Sequence, residues 1–133
     1  MNGATISIAA AGDSSFPGYL SLPATGSGPG LILLHEIFGL NQHIRDLADT
    51  YAEEGYVVLA PDLFWHIRPG IELGPSEEDF KTALTYRDRF DVEQAMVDIG
   101  HTLQALRANR ACTGKMGAVG FCLGGLLAYL AAS

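Results

Sequence analysis

Three short stretches of the chain are apolar at nearly every position instead of alternating. They are Leu31-Ile32-Leu33-Leu34, Tyr56-Val57-Val58-Leu59-Ala60, and the stretch from Lys115 to Phe121. A strand covered by helices on both faces has this signature. Between them the apolar positions recur with a helical period. Ile44, Leu47, Ala48 and Tyr51 follow a possible N-cap at Asn41, and Gly55 stops the helix. Ser76 with Asp79 forms a capping-box start for a helix over Glu77 to Arg89. Asp91 with Gln94 starts another, on which Val92, Ala95, Met96, Ile99, Leu103 and Leu106 share a face. Leu123 to Ala132 reads as a last helix of small and apolar residues.

The flanking segments complete the outline. Thr5–Ala9 and Phe16–Leu22 are short strands parted by the turn residues Gly12 to Ser15, and read as a hairpin. Pro23 to Gly30 is rich in breakers and reads as a surface loop. Leu63 to Pro75 is irregular. Alternating strands and helices imply an α/β fold with a mostly parallel sheet, helices on both faces and right-handed crossovers. The 133 residues are expected to form one domain, residues 1–133, incomplete at its C-terminal end because the last helix has no closing Gly, Asn or Pro.

Composition narrows the partners. Hydrophobic residues make up 48% of the chain, which sets it apart from disordered sequences. The formal net charge is −7 and no basic run occurs, so neither nucleic acid nor a membrane surface is an expected partner. The first residues lack the basic start and apolar core of a signal peptide. Two cysteines, Cys112 and Cys122, do not make a disulfide framework, and the expected location is cytoplasmic.

The chemistry concentrates at Gly120-Phe121-Cys122-Leu123-Gly124, a G-x-C-x-G placed between a buried strand and a helix. This is the nucleophile-elbow arrangement with Cys in place of Ser. The glycines let strand and helix approach closely. The N-terminus of the following helix favours negative charge on Cys122, and the backbone N–H of Leu123 is a natural oxyanion donor. The competing reading is a buried cysteine at an ordinary strand-to-helix turn.

A second signal is His35-Glu36-Ile37-Phe38-Gly39-Leu40-Asn41, directly after the first buried strand. With the stretch from Gly55 to Phe64 and Val119-Gly120-Phe121-Cys122-Leu123-Gly124-Gly125, it resembles the dienelactone hydrolase family in order and spacing, from about Thr5 to the last residue. The resemblance implies an α/β-hydrolase fold truncated after the nucleophile-elbow helix. It implies Cys122 as nucleophile on a lactone or ester carbonyl, Glu36 as the neighbour that controls its protonation, and the N–H groups of Ile37 and Leu123 as the oxyanion hole. It implies no metal and no organic cofactor. The bland alternative for Glu36 is a solvated loop carboxylate, and for His35 a packed residue at a strand end.

Two departures from the family qualify this. A cysteine hydrolase needs a His to carry a proton and an acid to orient it, both downstream of the nucleophile in this fold. Only eleven residues follow Cys122, and none is Asp, Glu or His. The expectation is therefore a fragment with little or no turnover alone. Alternatively it is an inactive scaffold or interaction remnant that self-associates or pairs with the missing C-terminal half. The family's substrate-binding Arg and Tyr positions hold Phe80 and Leu84, so a less acidic lactone or ester is expected. Among other candidates, His35-Glu36 with His43 does not match H-E-x-x-H and offers no third ligand. Asp62, Trp65 and His66 either line a site or, for Asp62, cap a turn. Cys112 reads as a bystander.

Overall fold

A computed structural model describes residues 3–120. The strands are β1 (Gly3–Ala9), β2 (Ser15–Ser21), β3 (Gly28–Leu34), β4 (Val57–Pro61) and β5 (Cys112–Gly120). The helices are α1 (Gln42–Glu53), α2 (Glu77–Arg89) and α3 (Val92–Ala108). The five strands form one mixed sheet in the order β1-β2-β4-β3-β5. β3 pairs in parallel with β4 and with β5, while the N-terminal hairpin adds β2 antiparallel to β4. The parallel pairing is what the continuous apolar runs predict, and the antiparallel part follows from the hairpin; the expected burial holds for β3 and β4, whereas β5 is the outer strand among the described residues and is partly exposed.

Side chains of the central strands divide by parity, because successive Cβ atoms point to opposite faces. Ile32, Leu34, Val57 and Leu59 join Ala95, Ile99 and Leu106 of α3 in one core layer. Leu31, Leu33, Val58 and Ala60 join Ile44, Ala48 and Ala52 of α1 in the other. Of the stripes their spacing predicts, α1 buries Ile44 and Ala48 and α3 buries Ala95, Ile99 and Leu106, while α2 buries only Ala83. Asn41 caps α1 by accepting from the Ile44 N–H, Ser76 caps α2 at Asp79, and Asp91 caps α3 at Gln94.

The breaker-rich loop ends earlier than its composition suggests, since Gly28 to Gly30 already belong to β3. These glycines serve close approach. A Cβ on Gly28 would run into the carbonyl oxygen of Gly55, and one on Gly30 would lie 2.9 Å from the Cys112 sulfur and from Leu106. Cys112 likewise opens β5 instead of lying between elements. The irregular segment before α2 holds only an isolated bridge, Gly39 to Glu72. The expected helix from Leu123 to Ala132 lies outside the described residues.

Leu59 is 1% exposed in the layer under α3. Leu59→Ala is expected to cost about 2–5 kcal/mol, from lost burial plus the cavity left behind. Val97→Ala, at a position 52% exposed, should stay within about 0.5 kcal/mol of the parent. Urea unfolding midpoints of the two variants check this.

Candidate active site

The C-terminal ends of the parallel strands β3 and β5 lie side by side where the two sequence signals begin. In the parallel pairing, Leu34 of β3 lies opposite Gly120 of β5. Glu36 is two residues beyond the first, and Cys122 two residues beyond the second. Glu36 and Ile37 are described and half-buried. Cys122 and Leu123 lie outside the described residues.

The loop from His35 to Asn41 is held from two sides. His35 is 1% exposed. Its Nε2 accepts the Leu63 N–H at 2.9 Å, and its Nδ1 lies 2.7 Å from the Glu36 carbonyl oxygen. An imidazole nitrogen that accepts a backbone N–H carries no proton, so the network assigns the proton to Nδ1. Burial holds the His35 pKa below 6.5, opposed by its hydrogen bond to Glu36 and by the Asp62 charge. His35 is therefore a packed residue at a strand end, and with both nitrogens engaged it has none left for a metal.

On the other side, the segment Ile71–Leu73 lies along the loop. Leu73 N–H donates to the Phe38 carbonyl at 2.9 Å, and Asn41 Nδ2 donates to the Leu73 carbonyl at 2.9 Å. Arg45 donates to the Leu40 carbonyl and pairs with Glu72 at 2.7 Å. Gly39 has φ +84, and a Cβ there would also run into the carbonyl oxygen of Ile71, so only glycine fits. Among the described residues, the hydrogen bonds of this loop leave the Ile37 N–H without an acceptor.

Asp62 caps a turn. Its carboxylate accepts the Phe64 N–H at 3.0 Å and the Gly70 N–H at 2.9 Å. Burial raises its pKa, with those two N–H groups and the His35 charge opposing. Trp65 and His66 turn away from Glu36 toward α3. Both reach Asp98 Oδ2, Trp65 at 3.1 Å and His66 at 3.0 Å, while Gln94 reaches Oδ1. Trp65 also stacks on Phe16, with centroids 5.2 Å apart. A cavity of about 250 Å³ opens beside this cluster, between Leu63, His66, Phe90 and Asp98. Sequence reasoning missed Asp98, which is 1% exposed. Its signal was its place on the buried stripe of α3, between Ala95 and Thr102.

The architecture is that of an α/β-hydrolase. Residues 16–133 match the profile of the Dienelactone hydrolase family, and the chain belongs to that family. It is 37% identical over 126 residues to a carboxymethylenebutenolidase of Pseudomonas sp. strain P51, covering 93% of this chain and 52% of that protein. It is 35% identical to carboxymethylenebutenolidase 1 of Cupriavidus pinatubonensis, covering 93% and 53%. A crystal structure from Klebsiella pneumoniae, assigned as a dienelactone hydrolase, superposes with a TM-score of 0.80 at 29% identity, covering 98% of this chain and 53% of that one. The chain thus spans about half the length of the relatives it matches. No helix among the described residues is long and apolar enough to cross a membrane.

Two predictions follow the geometry. Asn41→Asp keeps the oxygen that caps α1 but removes the donor to Leu73, at a cost of about 1 kcal/mol. Asn41→Ala also removes the cap and should cost about 1 kcal/mol more. Denaturant titration of both variants measures the difference. The second concerns pH. The unfolded chain binds a proton at His35 before the folded one does, so the His35 contribution is full above about pH 6.5 and is lost as the pH falls through the folded value. Asp62 has the opposite sign: its contribution is present at low pH and lost as the pH rises through its raised folded value. The stability deficit of His35→Gln relative to the parent should therefore narrow as the pH is lowered from about 7.5 to 5.5. Urea midpoints at the two pH values check this.

Proposed function

We propose that this chain is the nucleophile-bearing half of a hydrolase that opens lactones or cleaves esters through Cys122. The observation that carries the reading is the parallel pairing of Leu34 with Gly120, which starts the Glu36 loop and the G-x-C-x-G segment side by side. In this reading the Cys122 thiolate attacks the carbonyl carbon and forms a tetrahedral oxyanion. The N–H groups of Ile37 and Leu123 receive that charge. Collapse expels the alcohol oxygen and leaves a thioester, which water hydrolyses. Glu36 governs the protonation of the resting thiol.

In this reading the proton carrier and its orienting acid belong to the part of the relatives' length that this chain does not span. The substrate is a small, uncharged lactone or ester. Phe38, next to Ile37, approaches Phe80 with ring centroids 6.4 Å apart, and Phe80 is 47% exposed. This pair offers an apolar surface to a substrate.

The test uses the whole gene product with neutral and carboxylate-bearing lactones. The neutral ones should turn over faster. Cys122→Ala should lower kcat by about a thousandfold or more, and Cys122 should alkylate faster than Cys112 near neutral pH. Turnover that survives Cys122→Ala would sink the reading.

A further inference from the structure

A trans peptide is planar, with its C=O and N–H pointing in opposite directions. The orientation of the Ile37 N–H is therefore set by whatever grips the Glu36 carbonyl. Two donors grip it, His35 Nδ1–H at 2.7 Å and the Gly39 N–H at 3.2 Å. We propose that His35 is a positioning residue that aims the Ile37 N–H at the substrate oxyanion, through its Nδ1–H hydrogen bond to the Glu36 carbonyl. The inference rests on the reading of Ile37 as an oxyanion donor.

The imidazole is itself fixed at every other point. Leu63 N–H occupies Nε2 and so forces the proton onto Nδ1. Leu63 follows Asp62, whose N–H donates to the Pro17 carbonyl at 2.9 Å and whose carboxylate takes the Phe64 and Gly70 N–H groups. The ring of Phe64 meets the imidazole edge-on, with centroids 4.9 Å apart. A relay of fixed groups thus runs from β2 through the Asp62 turn and the imidazole to one peptide plane. His35 touches no reacting atom in this role and transfers no proton. Its donor must stay in place while negative charge develops on the far side of the peptide, where a preorganised dipole needs no reorganisation.

Two variants in the whole gene product separate this from a packing role. The side-chain amide of His35→Asn can place an N–H near the position of Nδ1, restoring the grip on Glu36. That of His35→Gln reaches toward Leu63 and leaves the Glu36 carbonyl only the longer bond from the Gly39 N–H. Each loses one of the two hydrogen bonds, so both lower Tm. The expected result is kcat within about threefold of the parent for Asn and a fall of about 10–100-fold for Gln, with KM nearly unchanged in both. Equal kcat values, or kcat that simply tracks Tm, would overturn the proposal. If neither variant folds, the ¹⁵N chemical shifts of His35 in the unaltered protein decide. The neutral Nδ1–H form at pH 7 is expected, and an Nε2–H or doubly protonated ring overturns the proposal. Cys122→Ala in parallel keeps the two ideas apart. If that variant retains turnover, the functional reading has failed. If it is inactive while the His35 variants match, only the positioning role has failed.

Discussion

Everything in this fold depends on β3 being buried on both sides and paired in parallel on both edges. A strand with helices above and below can use no polar side chain in its middle, which is why Leu31 to Leu34 is uniformly apolar. That burial fixes the register with β4 and β5. It also forces the chain to deliver its polar chemistry in the first residues past the sheet, where helices no longer cover it. His35, Glu36 and Ile37 are those residues after β3, and Gly120, the first residue of the G-x-C-x-G segment, closes β5. The site is thus a consequence of where apolar packing has to stop.

The second constraint is the neutrality of His35. A cationic imidazole cannot accept the Leu63 N–H and would carry a buried charge against the Phe64 ring. Burial resolves this by favouring the neutral ring, and the neutral ring then has one donor and one acceptor. The surroundings need both. The buried polar cluster around Asp98 follows the same logic, since its carboxylate accepts from Trp65, Gln94 and His66. Among the described residues no buried side-chain nitrogen or oxygen lacks a partner.

The layer architecture could be read from the sequence because it depends on periodicity. The apolar runs gave the central strands, and Asn41, Ser76 and Asp91 marked the helix starts to the residue. Spacing carries no such information about who grips whom across the fold. His35 looked like packing because a single His after a strand gives no hint that its two nitrogens bridge Leu63 and Glu36. Asp98 hid within a helical stripe, where a lone carboxylate resembles a solvated position. Gly28 and Gly30 were read as loop because glycine signals both turns and close approach, and only the neighbours, Gly55 and Cys112, tell these apart. The positions of Cys122 and Leu123 are known from sequence alone.

The stretch from Asp62 to Pro75 has almost no regular structure, yet individual side chains hold it: its own Asp62, His35 after β3, Asp79 of α2, Asp98 of α3, and Asn41 and Arg45 at the start of α1. Ladder hydrogen bonds are made by any backbone, so strands and helices accept many residues at most positions. This stretch is shaped instead by a few individual side chains, each doing something its neighbours cannot do for it. Substitution should consequently be tolerated very unevenly, with freedom at the solvent-facing positions and almost none at the side chains that bind the stretch. The same economy means that the stretch can change its length or course in a related protein only if those side chains change with it.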